Sequence, residues 1–214
     1  MKSEIETYYS CRASEYEKIY EKPERQENLK SLKRLLKDFF QYKSVLEIAC
    51  GTGYWTEIIS NTAHSIVAID SSNEVLDIAR FKSYKKDNVK FINDDALSLS
   101  KIKRTFDSAF YGFWFSHIQK NDIESFITNL HRKLYPFSFV VMIDNNYVEG
   151  SSTPVSRKDE EGNTFQLRKL EDGSEYEVLK NFYLEDELKY IFKNYSSNFE
   201  IINLKYYWMI KYNL

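Results

Sequence analysis

The chain has 214 residues, of which 43% are hydrophobic and 16% aromatic, enough to bury a sizeable core within one domain. Thirty lysines and arginines stand against 32 acids, a net charge of −2, so no general basic field recruits a nucleic acid or an anionic membrane surface. Two cysteines, Cys11 and Cys50, exclude a disulfide framework and a four-cysteine zinc site, and a reducing cytoplasm is the simplest compartment.

The first residues, Met1, Lys2 and Ser3, open no apolar signal region, and no later run approaches the ~18 apolar residues of a membrane span. The spacing predicts a helix over 3–20 with Ile5, Tyr8, Tyr9, Arg12, Tyr16, Ile19 and Tyr20 on one face. Such a face can pack its rings on a domain, or it can act as a lid whose phenols and guanidinium close over a ligand or clamp an anion. Pro23 stops this helix. A second helix over 24–40 carries the stripe Leu29, Leu32, Leu35, Leu36 and Phe39, leaving Lys30, Lys33, Arg34 and Lys37 on a solvated face.

Residues 45–56, VLEIACGTGYWT, read as a buried strand, a glycine turn and the start of a helix. A second strand over 65–69 ends at Asp70, where a carboxylate can accept hydrogen bonds from both hydroxyls of a ribose. Ser71 and Glu74 have capping-box spacing before Val75, Leu76, Ile78 and Ala79. A third strand over 89–92 precedes Asp95 and Ala96. A dinucleotide site would want a third glycine at position 56, which is Thr56.

The run at 106–113, FDSAFYGF, is a fourth buried strand whose end should lie beside the glycine loop, bringing Tyr111, Gly112, Phe113, Trp114 and His117 to the site. Asn121 and Glu124 can cap a helix with Ile123, Phe126, Ile127, Leu130 and Leu134, and Pro136 precedes a fifth strand over 137–143. Residues 164–170 and 175–182 alternate around Asp172 and Gly173 as a hairpin, with Arg168 and Lys180 as anion contacts or as plain exposed strand cations. A last helix over 184–192 and strands over 199–204 and 206–212 complete the chain.

The pattern Glu47-x-x-x-Gly51-x-Gly53, then Asp70, then Asp95-Ala96 resembles that of the class I S-adenosylmethionine-dependent methyltransferases. Ala49 departs from it, standing where the pattern usually has its first glycine. The resemblance implies an α/β fold: a doubly wound, Rossmann-like seven-stranded sheet with N-terminal helices, a small β insertion after strand 5 and a closing antiparallel pair. Residues 1–214 then form a single methyltransferase domain, with 1–40 as a helical lid and 145–183 as a substrate-side insertion.

It further implies S-adenosylmethionine as cofactor, leaving as S-adenosylhomocysteine. Glu47, Ala49, Gly51 and Gly53 would face the methionine end. Asp70 would take the ribose, Asp95 and Ala96 the adenine, with Tyr8, Tyr16, Trp55, Ser71 and Tyr111 completing the set. Tyr8-Tyr9-x-x-Arg12-Ala13-x-Glu15-Tyr16 followed by GTGYWT is similar to bacterial small-molecule O-methyltransferases, phosphonate O-methyltransferases among them.

The acceptor is therefore expected to be a small, anionic metabolite methylated on oxygen, held by Arg12, Trp114, Arg168 and Lys180, with His117 as the catalytic base or as a core histidine. No metal, nucleic acid or membrane partner is expected. An RNA or protein methyltransferase would need an extended basic groove. A non-catalytic cofactor-binding module would share the same glycines and acids and differ only in turnover.

Overall fold

Apolar runs too continuous to leave one face wet become the parallel centre of a single sheet. In the computed structural model, which describes residues 4–84 and 87–214 and the side chains from 7 onward, these are β1 (Ser44–Ile48), β2 (Ser65–Asp70), β3 (Val89–Asn93), β4 (Phe106–Gly112) and β5 (Leu134–Asn145). The Ile5 side chain and the opening Met1, Lys2 and Ser3 lie outside the described residues. With β9 (Phe199–Asn203) and β10 (Tyr207–Asn213) the order is β3-β2-β1-β4-β5-β10-β9, and β10 runs antiparallel to both its neighbours. Chain direction across the sheet reverses between β1 and β4, so their carboxyl ends open the crevice in which such folds bind ligands.

Side chains alternate across the strands and build two cores. Leu46 and Ile48 face α5 (Ile123–His131) and α6 (Glu185–Phe192), whose Phe126, Ile127, Leu188 and Phe192 are buried there. Val45, Ile66 and Ala68 face α2 (Gln26–Phe39), α3 (Tyr54–Ser60) and α4 (Asn73–Phe81). No helix among the described residues is long and apolar enough to cross a membrane.

Several local expectations are corrected. The helix foreseen over 3–20 is broken at Arg12: α1 (Glu4–Cys11) gives way to a tighter 3-10 helix, Ala13–Tyr20, whose i to i+3 bonds begin with Glu15 N donating to Arg12 O at 3.0 Å. The cap of α4 is Ser72, not Ser71: Ser72 Oγ accepts from Val75 N at 3.4 Å and donates to Glu74 Oε2 at 2.7 Å. Asp122 holds the N-cap position of α5 with no side-chain bond, so neither Asn121 nor Glu124 caps it.

Strand β5 starts at Leu134 and runs through Pro136. Its register with β4 slips between Phe106 and Ser108, a bulge that accommodates a residue without an N–H, and Phe137 stands 92% exposed at φ 65°. Leu134 thus belongs to the strand, not to the helix before it. The insertion holds the expected hairpin, β7 (Thr164–Lys169) and β8 (Glu175–Leu179), turning at Gly173 with φ 89°, and a third strand the sequence did not reveal, β6 (Arg157–Lys158).

Candidate active site

The loop after β1 takes the left-handed conformation three times, at Ala49 (φ 52°), Gly51 (φ 55°) and Gly53 (φ 79°). The two glycines serve different ends. A Cβ at Gly53 would lie 2.7 Å from the Tyr84 hydroxyl and 3.1 Å from Ala79 Cβ, so this glycine lets α3 and α4 pack. A Cβ at Gly51 would meet only Tyr16 Cε1 at 3.9 Å, so here the backbone is left open toward a ligand. Ala49 endures the strain its methyl brings, about 1–2 kcal/mol for a left-handed L-residue.

Asp70 ties the end of β2 to this loop: Oδ2 accepts from Gly51 N at 2.9 Å and Oδ1 from Ser72 N at 3.0 Å. Asp95 caps the next turn, accepting from Ser98 N at 2.8 Å, while the buried Asp94, which sequence reasoning passed over, accepts from Ser100 Oγ at 3.0 Å and Lys101 N at 2.9 Å. The paired acids were the visible signal; one shapes the loop and its neighbour faces the ligand side.

These elements enclose a mostly apolar cavity of about 360 Å³. It brings together Tyr16, Ala49, Gly51, Asp70, Ser71, Asp95 and Ala96 from the predicted cofactor set, with Trp114 and His117. Others of that set are elsewhere. Trp55 is in the core, donating from Nε1 to the Tyr20 hydroxyl at 3.1 Å, and Tyr111 is fully buried against Phe115 and Phe126. Glu47 is buried outside the cavity lining; burial pushes its carboxyl up to about 8, and its Oε2 has no hydrogen-bond partner among the described residues. Trp114 belongs to this cavity rather than to the acceptor side, and its buried Nε1 is likewise without a partner among the described residues.

A second cavity of about 310 Å³ adjoins the first, and Tyr9, Tyr16, Phe113 and His117 line both. Among the described residues its walls carry Arg12, Lys22, Arg25, Arg168, Lys169 and Lys180 against one acid, Glu15. Tyr8 is here, not on the cofactor side; its hydroxyl accepts from Arg12 Nη1 at 2.8 Å. Arg168 donates to Gln166 Oε1 at 2.8 Å and to the Tyr9 hydroxyl at 3.2 Å.

Lys180 has a different duty from the one expected. Its Nζ donates to Ser116 Oγ at 2.6 Å, Asp144 Oδ1 at 2.7 Å and Asn145 Oδ1 at 3.0 Å, so its three hydrogens are all bonded within the protein. Asp144 Oδ2 in turn accepts from Ser116 N at 2.9 Å, and this buried pair braces the turn Phe115–His117. His117 is 7% exposed, with Nδ1 2.5 Å from the Leu179 carbonyl and Nε2 2.8 Å from the Tyr9 hydroxyl. Burial, then the Lys180 and Arg168 charges, hold its pKa well below the ordinary imidazole range. No group of three His, Cys, Asp or Glu suited to a metal ion occurs among the described residues.

The N-terminal segment roofs both cavities and is pinned to the cofactor loops. Glu17 Oε1 accepts from Thr52 Oγ1 at 2.5 Å, and Ser10 Oγ donates to Ser72 Oγ at 3.1 Å.

Residues 45–136 match the family model described as a methyltransferase domain. Over 119 residues the chain is 29% identical to the demethylmenaquinone methyltransferase of Staphylococcus aureus strain MRSA252, which covers 53% of this chain and 48% of that protein. The chain thus spans about half the length of the curated relatives it matches.

Likeness of structure extends further. A DhpI–SAH complex aligns over 97% of this chain and 94% of its own, with TM-score 0.79 and 25% identity. A DhpI–SAM–HEP complex aligns over 96% and 94%, with TM-score 0.78 and the same identity. The PH0226 protein of Pyrococcus horikoshii OT3, at 22% identity, TM-score 0.70 and coverage of 89% and 91%, shares the fold. The sheet order, the glycine loop with its two following acids and these likenesses show a methyltransferase domain match over residues 45–136, set in a seven-stranded fold that S-adenosylmethionine-dependent methyltransferases share.

Proposed function

We propose that this protein transfers a methyl group from S-adenosylmethionine to an oxygen of a small anionic metabolite. The observation that carries the reading is the common wall: an apolar cavity at the strand ends meets a cationic one across Tyr9, Tyr16, Phe113 and His117. The residues present suit the cofactor. The open Gly51 backbone and the Ala49 methyl leave room for its methionine end beneath Tyr16, and Trp114 Nε1, without a partner among the described residues, is a donor it could use. Asp70, held against Gly51 N and Ser72 N at the end of β2, stands at the ribose end, while Asp95 and Ala96 line the adenine end. When bound, the cofactor supplies an electrophilic methyl group on a sulfonium.

The protein's part is then to align the acceptor and exclude water, which the roof of residues 4–40 and the insertion 145–183 would do. Arg12 and Arg168 stand where they can pair with an anionic group, and His117, neutral at physiological pH, is the proton acceptor. The acceptor cavity is small, which favours a metabolite over RNA or a protein chain. The test is release of S-adenosylhomocysteine with a panel of small hydroxy acids, phosphonates and their neutral amides or esters. Charged members should turn over, and Arg168→Met should raise KM for them by about 10- to 100-fold, as loss of a charge-assisted bond worth about 1.5–3 kcal/mol requires. Preference for the neutral members would contradict the anionic acceptor.

A further inference from the structure

Tyr9 projects from α1 into the wall between the two cavities, and its phenol oxygen is engaged on two sides. On one side it lies 2.8 Å from His117 Nε2; on the other it accepts from Arg168 Nη1 at 3.2 Å. The direction of the first bond follows from the far side of the imidazole. Nδ1 faces the Leu179 carbonyl at 2.5 Å, and a carbonyl only accepts, so Nδ1 carries the ring hydrogen. In a neutral ring Nε2 then offers a lone pair, and Tyr9 donates to it. Having donated once and accepted once, the phenol oxygen keeps one lone pair. Both nitrogens of His117 are thus occupied by protein groups, so an acceptor entering from the cationic cavity, which both residues line, finds a lone pair on the Tyr9 oxygen and none on the imidazole.

We infer that Tyr9 is the catalytic residue that contacts the acceptor hydroxyl, and that it relays the hydroxyl proton to His117. The inference rests on the O-methylation reading above. As the acceptor oxygen bonds the methyl carbon, its O–H bond breaks and the proton passes to the Tyr9 oxygen. The Tyr9 proton passes to His117 Nε2, and the electron pair of the broken C–S bond returns to sulfur. One positive charge disappears at sulfur and one appears on the imidazole, so charge balances. The relay narrows the substrate class to an alcohol that also bears an anion. A carboxylate or phosphonate oxygen has no proton to give, whereas a hydroxy acid presents a proton to Tyr9 and a charge to Arg12 and Arg168. Because Tyr9 is on the roof and His117 on the turn after β4, the relay is assembled only while α1 is docked.

Two arms on the full chain test this. The first needs no acceptor: nitrogen-15 spectra of the histidine side chains with S-adenosylhomocysteine bound. Wild type should show His117 as the neutral Nδ1–H form with a hydrogen-bonded Nε2, and Tyr9→Phe should move the Nε2 signal downfield with cofactor affinity unchanged. An unmoved Nε2 signal, or an Nε2–H form in wild type, overturns the relay whatever the substrate. The second arm uses glycolate, lactate and hydroxymethylphosphonate with a methyl-labelled donor. Tyr9→Phe should lower kcat by about 10²- to 10⁴-fold with KM little changed, the span of a lost general base. Tyr176→Phe, on the same α1 contact but lining neither cavity, should keep the rate. Wild type should give an ether product and a curved proton inventory in mixed light and heavy water, as two protons in flight demand. An ester product, or wild-type kcat in Tyr9→Phe, overturns the relay. Failure of wild type on every probe would count against the methyl-transfer reading instead, and the spectra alone would decide the relay.

Discussion

Glu47 is held in its acid form by the fold, and this makes stability depend on pH in a definite direction. Burial raises its folded pKa to about 8, against about 4.3 in an unfolded chain. Between those values the folded state binds more protons than the unfolded one, so stability falls as pH rises from about 4.3 toward 8. Denaturant unfolding across this range should show the fall, and Glu47→Gln should flatten it; an equal slope in the variant would show that Glu47 ionises freely. His117 acts oppositely, because its lowered pKa favours the neutral ring, and stability is lost as pH drops below the ordinary imidazole range. The glycine loop shows what sequence can and cannot tell at this scale. Gly51, Gly53 and Asp70 could be found by type and spacing, but that Gly51 serves the ligand and Gly53 serves helix packing follows from Tyr84 and Ala79, which only the fold brings near.

Among the elements, the buried brace on the turn after β4 decides between two roles for Lys180. In the sequence it is a cation on an alternating strand, indistinguishable from a substrate contact, because Asp144 and Ser116 lie 36 and 64 residues away. In the structure it is paired and 3% exposed. Lys180→Met should therefore destabilise the fold by about 3–5 kcal/mol, the cost of leaving a buried carboxylate unpaired, as read by urea unfolding. A stable variant with raised KM would instead make Lys180 an anion contact. The roof was legible as an aromatic face but not in its winding: over eight residues the i, i+3 and i, i+4 spacings suit both 3.0 and 3.6 residues per turn, and packing chose the tighter for Ala13–Tyr20. The strand β6 was too short to carry a period, and Pro136 hid the start of β5 behind a bulge.

At the scale of the whole molecule, the order of apolar runs and turns sufficed for the sheet, since buried parallel strands and amphipathic helices leave strong periodic marks. What the order of elements did not show was the second, cationic cavity. Its arginines and lysines come from residues 12–25, which follow α1, and from the insertion, and they converge only when the roof and the insertion meet over the strand ends. The central claim is that the crevice between β1 and β4 is an S-adenosylmethionine site, and calorimetric titration with S-adenosylmethionine, S-adenosylhomocysteine and NAD tests it most directly. The account predicts binding of the first two, none of NAD, and in Asp70→Ala a loss of about 1.5–3 kcal/mol for removed bonds to a charged group. Binding of NAD alone, or unchanged affinity in Asp70→Ala, would contradict it.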